Sequence, residues 1–522
     1  MDNNRIDHLT IVGGGAAGWL SAALLSSLLN RRNQGPDVRI TVIESPRIPR
    51  IGVGEATTPS FRNTLKHLDI HEKDFLKSCN GTLKTAVKFV GWNQDANGDP
   101  GTYFHPFFAP GGVYGQSPAY HYLNRAQAGP VPKMAEMLTP GSVFFDDLKA
   151  PRGLDSEDYE GFVSYAYHLD ATLFADYLKK FSIAMDVEFI PDEVVDVTLD
   201  SRGFVTGLTL EERGDIPVEF VLDCSGFQGL VSRKAMREPF IPFNEHLLCD
   251  RAIAAQIPYL DEEQGRIEPF TSATALSAGW VWKVPLYSRR GMGYVYSSAH
   301  TSDDQAMDEF LRFIGGGHSA DEMRIIPMEV GRLRRNWVNN CVSIGLSGGF
   351  VEPLEATALH FVQNAIYWLT EYFPDKQVSP ALADRFNHMT SGLYEEIRDV
   401  ISLHYHLSNR EDTPFWRAVR HEVPPPDSLA RKLALWRCKL PSPYDRDGPY
   451  SIFNEWSYIY VLAGKGFFDG IKYPIGSVVS DDDFREFLEI VDRERSQLRT
   501  LAPDHAELMR QIHSADYTPW HA

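Results

Sequence analysis

A chain of 522 residues with 43% apolar and 12% aromatic side chains is too long for one simple core and too apolar for disorder, so two or three structural units are expected. Its formal net charge of −19 repels phosphate backbones and anionic lipid, which argues against nucleic-acid and membrane partners. The five cysteines, at 79, 224, 249, 341 and 438, form no CxxC and no metal-ligand spacing; this is the pattern of reduced thiols in a cytoplasmic protein without a metal site.

HLTIVGGG predicts a strand entering a glycine turn, AAGWLSAALLSSLLN a helix, and VRITVIES, 38–45, a second strand. The stretch 11–29 is apolar enough to suggest an anchor, but its glycines, its serines and the non-basic MDNNRIDH before it argue against one. Gly13, Gly15 and Gly18 form a GxGxxG set between strand and helix, and Glu44 closes the next strand. Gly13 allows the tight turn, Gly15 lets a pyrophosphate approach the backbone, Gly18 lets helix and strand pack, and Glu44 can accept from ribose hydroxyls. The alternative is a glycine turn without ligand. FIGGGHSA, 313–320, has glycines but no strand running into a helix and reads as a loop. A single dinucleotide fingerprint points to a flavin protein with no second Rossmann unit for a nicotinamide.

TLKTAVKFV alternates, which places Lys84 and Lys88 on one strand face. VEFVLDCSGFQGLVSR, 218–233, and NNCVSIGLSGGFVEPLEATALHFVQNAIYWLTEYF, 339–373, each predict a strand and a glycine turn, the second followed by a helix. Leu359, Val362, Ile366, Leu369 and Phe373 form the core stripe of that helix. Beyond about 375 the chain reads as helical, then loop-rich with prolines, then helical again. Trp280 and Trp282 fall on one face of a strand, where two indoles ordinarily fill a core.

Taken in order, the glycine fingerprint, IGVGEAT at 51–57, TLKTAVKF at 82–89, YFHPF at 103–107, the WxWx[IV]P of Trp280 to Pro285 and FVEPLEAT at 350–357 resemble the flavin-dependent halogenases of the tryptophan-halogenase type. The resemblance runs to about residue 460. It implies an α/β fold: a Rossmann-type FAD domain of the flavin monooxygenase kind (1–100 and 155–370) and a mainly helical substrate-binding part (101–154 and 371–522). It implies that a separate flavin reductase supplies FADH2, that reduced flavin, O2 and chloride or bromide give hypohalous acid, and that this acid passes to a second site to halogenate a small, electron-rich, indole-type aromatic. A homodimer is compatible with it.

Residue by residue, the resemblance implies flavin contacts at Gly13, Gly15, Ala16, Ala17, Gly18, Glu44, Gly52, Val53, Gly54, Glu55, Ala56, Gly345 and Leu346. Trp280 and Trp282 would wall the flavin side and fill the space that a hydroxylase leaves for its substrate. Lys84 and Glu355 match the catalytic pair, Lys84 acting as an ammonium donor or as a haloamine. Thr357 and Ala358 match the halide cradle, with Ala356 where serine is usual and Ala358 where tryptophan-specific members have glycine. His105 and Phe107 match the pair that sandwiches the substrate ring, and Trp456 falls near a third aromatic position. The alignment puts Asn454 where tryptophan-specific members carry a glutamate, so free tryptophan is not the expected substrate, and the altered cradle suggests bromide. The competing readings are a flavin monooxygenase that hydroxylates an aromatic and a non-catalytic flavin-binding protein.

Overall fold

The computed structural model describes residues 4–30, 38–48, 52, 54–95, 97–113, 116–260, 263, 265–448, 450–477 and 480–514. Two sheets organise it. The first has the order Trp337–Val338, Cys341–Ser343, Phe220–Asp223, His8–Val12, Arg39–Glu44, Glu188–Pro191, parallel except for its first strand. Helix Ala16–Asn30 follows the central strand in the right place for a Rossmann unit. That helix is buried on nearly every side, from Gly18 through Ser27, which explains its apolar composition without a bilayer. Among the described residues no helix is long and apolar enough to cross a membrane.

The second sheet has the order Arg324–Pro327, Arg251–Pro258, Arg289–Tyr296, Gly279–Pro285, Phe270–Ala275, Ala86–Gln94, Pro100–Pro106. A small sheet, Gly54–Ala56, Ala166–Asp170, Thr82–Lys84, lies between these two in the path of the chain. The C-terminal region is helical: Pro380–His406, Pro414–His421, Asp427–Trp436, Glu455–Gly464, Asp481–Leu501 and His505–Ile512. The glycine-rich stretch at 315–317 is a turn of positive φ after helix Asp303–Ile314, as expected of a loop. Phe373 falls beyond the end of helix Ala358–Glu371 and is only partly buried, so the apolar stripe ends at Leu369.

The expectation that Lys84 and Lys88 share a strand face is overturned. Thr85 leaves the ladder: its N–H and its hydroxyl both donate to Pro269 O, at 2.7 and 2.8 Å. The chain changes sheets there, so Lys84 ends the small sheet, fully buried, and Lys88 enters the large one on its far face. An alternating pattern cannot reveal such a switch, because one residue out of register inverts every side chain after it.

A buried charge cluster fixes the small sheet. Glu72 pairs with Arg152, both fully buried, and accepts from Tyr165 OH at 2.7 Å, Tyr167 OH at 2.5 Å and the Tyr159 amide at 3.0 Å. Tyr167 lies in the middle strand, which pairs with Thr82–Lys84. Arg152→Met is expected to destabilise the protein by about 3–5 kcal/mol, because the carboxylate it leaves behind stays buried without its counter-charge. Denaturant unfolding checks this; a loss below about 1 kcal/mol would show that the tyrosines alone satisfy Glu72.

Candidate active site

A cavity of about 520 Å³ opens where the glycine turn, the small sheet and the large sheet meet. Its walls include Gly13, Gly15, Ala16, Ala17, Glu44, Gly54, Glu55, Ala56, Gly345 and Leu346, so most of the expected flavin contacts converge. Gly13 has φ +119, and a Cβ there would meet Cys224 O at 2.2 Å. A Cβ on Gly15 would meet nothing within 4 Å, so the backbone lies open to the cavity. Gly18 is not part of the wall; it packs on Gly13, where a Cβ would come within 1.9 Å of the carbonyl. These are the separate roles that the spacing suggested: turn, close approach and packing. Glu44 lines the cavity and accepts from Lys179 Nζ at 2.8 Å. Gly52 is outside the lining, its carbonyl accepting from Gln256 Nε2 at 2.8 Å. Val53 lies outside the described residues. A long cavity with an open glycine turn at a helix N-terminus fits a dinucleotide.

Trp280 and Trp282 both form part of the wall, their rings 6.3 Å apart. Trp280 is anchored from behind: its Nε1–H donates to Glu352 Oε2 at 2.9 Å, and Tyr405 OH donates to the same oxygen at 2.6 Å. Burial pushes the Glu352 carboxyl up to about 7, and the tyrosine and indole bonds pull the other way. Thr357 and Ala358 line the cavity at the start of helix Ala358–Glu371, where backbone N–H groups have no intrahelical acceptor. Ala356, just before them, has φ +56, a left-handed conformation that costs a non-glycine residue roughly 1–2 kcal/mol.

Lys84 is fully buried and also reaches the cavity wall. Its Nζ donates to Thr57 O at 3.4 Å and sits 4.8 Å from the centre of the Phe107 ring. Burial lowers its ammonium to about 7, partly opposed by the negative charge of Glu355. Phe107 faces His105 with ring centres 6.3 Å apart, and His105 Nδ1 is 2.9 Å from Glu355 Oε2. The structure thus brings Lys84, Phe107, His105 and Glu355 into one cluster. Glu355 is in the turn Pro353–Glu355, before the helix, and is buried.

The other Glu355 oxygen reveals a partner that the sequence did not. His404 Nε2 is 3.0 Å from Oε1, and its Nδ1 is 2.9 Å from Tyr103 OH. Burial and the charge of Glu355 hold the Tyr103 phenol above its ordinary range, so it keeps its proton and donates to Nδ1. His404, its own pKa lowered by burial, is then neutral and donates from Nε2 to the carboxylate. Burial would raise Glu355, but the charge and hydrogen bond of His105, with the hydrogen bond of His404, outweigh it and hold the carboxyl well below its usual range. Adjacent residues of helix Pro380–His406 therefore grip both glutamates of the EPLE turn, His404 holding Glu355 and Tyr405 holding Glu352. The available signal was a histidine on a core stripe: Ile397, Ile401 and His404 are spaced as one helical face, and all are buried.

The C-terminal expectations need correction. Phe453, not Trp456, is the aromatic beside His105, with ring centres 6.5 Å apart. Trp456 is buried against Tyr460. Asn454 is the exposed N-cap of helix Glu455–Gly464, its side-chain oxygen accepting from the Ser457 amide at 3.0 Å. Asparagine is a favoured N-cap, so local helix chemistry accounts for it.

Residues 8–480 match the family model described as tryptophan halogenase. The chain belongs to the tryptophan halogenase family. It is similar over 98% of its length to the tryptophan 6-halogenase ThaL of Streptomyces albogriseolus (37% identical, 100% of that protein covered) and to the tryptophan 7-halogenase RebH of Lentzea aerocolonigenes (36% identical, 99% covered). Its fold superposes on a solved tryptophan halogenase of Shewanella frigidimarina with a TM-score of 0.91, 31% identity and 99% coverage of both chains. Halogenases of this family are flavin-dependent oxidoreductases, and the α/β architecture with its Rossmann-like sheet is theirs.

Proposed function

We propose that this halogenase transfers a halogen from hypohalous acid to an electron-rich aromatic ring held between His105, Phe107 and Phe453. The observation that carries the reading is the position of Lys84, an amine buried at the wall of the flavin cavity and next to the Glu355 cluster. Bound reduced flavin, supplied by a separate reductase, furnishes with O2 the oxidation of halide to hypohalous acid. Thr357 and Ala358 hold the halide, and the two tryptophans keep the aromatic substrate away from that cavity. The Lys84 ammonium donates to the hypohalous oxygen, so the hydroxyl leaves as water as the carbon–halogen bond forms. Glu355 takes the ring proton. A strongly acidified ring needs only a weak base, and a carboxylate accepting two histidine bonds keeps lone pairs for a third partner. Residues 1–100 and 155–370 form the flavin part and 101–154 and 371–522 the substrate part, with Tyr394 and Ile397 of the second reaching the cavity of the first.

Free tryptophan is not the preferred substrate in this reading. Asn454 is an exposed helix cap and brings no charge to the ring site, and Glu396, which holds the segment before Phe453, is engaged by Ser451, the Ile452 amide and Tyr458 OH. A buried ammonium without a partner is costly. Indole is expected to exceed tryptophan in kcat/KM by at least about tenfold, or 1.4 kcal/mol; an advantage for tryptophan under the same flavin supply refutes this. Bromide is expected to prevail over chloride, because Ala356 and Ala358 alter the cradle and bromide is more weakly hydrated and easier to oxidise. Competition at equal halide concentrations checks it, and mainly chlorinated product contradicts it.

A further inference from the structure

The large sheet has a second concave site on the face turned away from the flavin cavity. It is a cavity of about 250 Å³. Its floor is a cross-strand row: Lys88 pairs with Ser272, and Ser272 pairs with Lys283, on three adjacent strands. The next row, Val90, Thr274 and Val281, continues the floor. Phe145, Phe270 and Phe313 supply the apolar walls.

The electrostatics are unusual for a chain of net charge −19. Lys88, Lys283 and Arg266 line the cavity with Glu268 as the one acid among the lining residues. Glu268 is taken by Lys283, at 2.7 Å. Lys88 is half-buried and makes no ion pair within 4 Å among the described residues; its ammonium rests 5.6 and 5.7 Å from the Phe270 and Phe104 rings. Burial lowers its pKa, opposed by Glu268 and Asp146, while Lys133 and Lys283 add to the lowering. Nor does either floor hydroxyl, Ser272 or Thr274, hydrogen-bond to a protein group among the described residues. The cavity thus presents one half-buried cation and two free hydroxyls, all open to an incoming ligand.

We propose that this cavity binds a small aromatic carboxylate. The carboxylate pairs with Lys88 and accepts from the Ser272 and Thr274 hydroxyls, and the ring lies against Phe145 and Phe270. The volume is just below the range of about 300–1,000 Å³ usual for drug-sized ligands, which limits the occupant to a single small ring. Strand Gly279–Pro285 lends Val281 and Lys283 to this site and Trp280 and Trp282 to the flavin wall. An occupant is therefore one residue from the indoles, and its binding is read in their fluorescence.

Benzoate is the probe, titrated into the flavin-loaded protein and followed by calorimetry and tryptophan emission, with benzyl alcohol and inorganic phosphate alongside. Benzoate is expected to bind more tightly than either, at least tenfold more weakly in Lys88→Met, and with affinity restored in Lys88→Arg. Both variants are expected to keep normal halogenation, since Lys88 faces away from the flavin cavity. The proposal is overturned if benzoate does not bind, if Lys88→Met binds it as well as the parent (which would place it elsewhere, such as beside His105), or if phosphate binds as tightly.

Discussion

Lys84→Met is expected to lower halogenation by at least about 10³-fold, within the range of about 10²–10⁴ for a lost acid–base group, while flavin still binds. It is also expected to raise thermal stability. Lys84 is fully buried, and its ammonium falls from its ordinary 10.5 to about 7. At about 1.4 kcal/mol for each tenfold in proton affinity, holding this amine in the core costs on the order of 4 kcal/mol at neutral pH. Methionine fills a similar volume without that cost. The pH dependence has a definite sign. Between about 7 and 10.5 the unfolded chain holds a proton on Lys84 that the folded chain has lost, so stability rises with pH through that window. The methionine variant lacks this contribution. Activity has the opposite trend, since the donor is the ammonium: the parent loses activity as pH rises through about 7. Near-normal turnover in Lys84→Met would remove the lysine from the mechanism, and activity that rises with pH would favour the haloamine route.

Glu355→Gln is expected to lower turnover by about 10² or more with flavin affinity intact. The amide cannot accept the ring proton, and it can offer only one oxygen to the two histidine N–H donors. A second readout separates chemistry from packing. The Glu355 charge raises the Lys84 pKa, so its removal lets Lys84 lose its proton at lower pH, and the descending limb of the pH profile moves to more acidic values. A loss of only a few-fold, with the limb unmoved, would make Glu355 a structural residue of its turn.

How much of this was legible in the sequence follows from the range over which each signal acts. The strand–glycine–helix unit at 8–30 and the helix after the EPLEAT turn are local patterns of period and turn chemistry, and they formed within a residue or two of expectation. Trp280 and Trp282 reach the cavity because a strand alternates, and no sheet switch interrupts it. Lys84 and Lys88 show where alternation fails: Thr85 bonds to Pro269, 184 residues away, and nothing near it announces a change of sheet. His404 was missed for a related reason. It reaches Glu355 across 49 residues, from a stretch read only as helical and charged. The substrate segment was placed by alignment within a short stretch rich in aromatics, where a shift of three residues exchanges Phe453 for Trp456. Asn454 fell at a helix start, where capping alone explains an asparagine.

The most direct test of the account is the mass of the product formed from indole by the purified protein with FAD, a flavin reductase, NADH, O2 and bromide. The account predicts that one ring hydrogen is replaced by bromine, and that the product disappears with Lys84→Met although flavin remains bound. A product carrying one added oxygen and no bromine would contradict it and make the protein a hydroxylase.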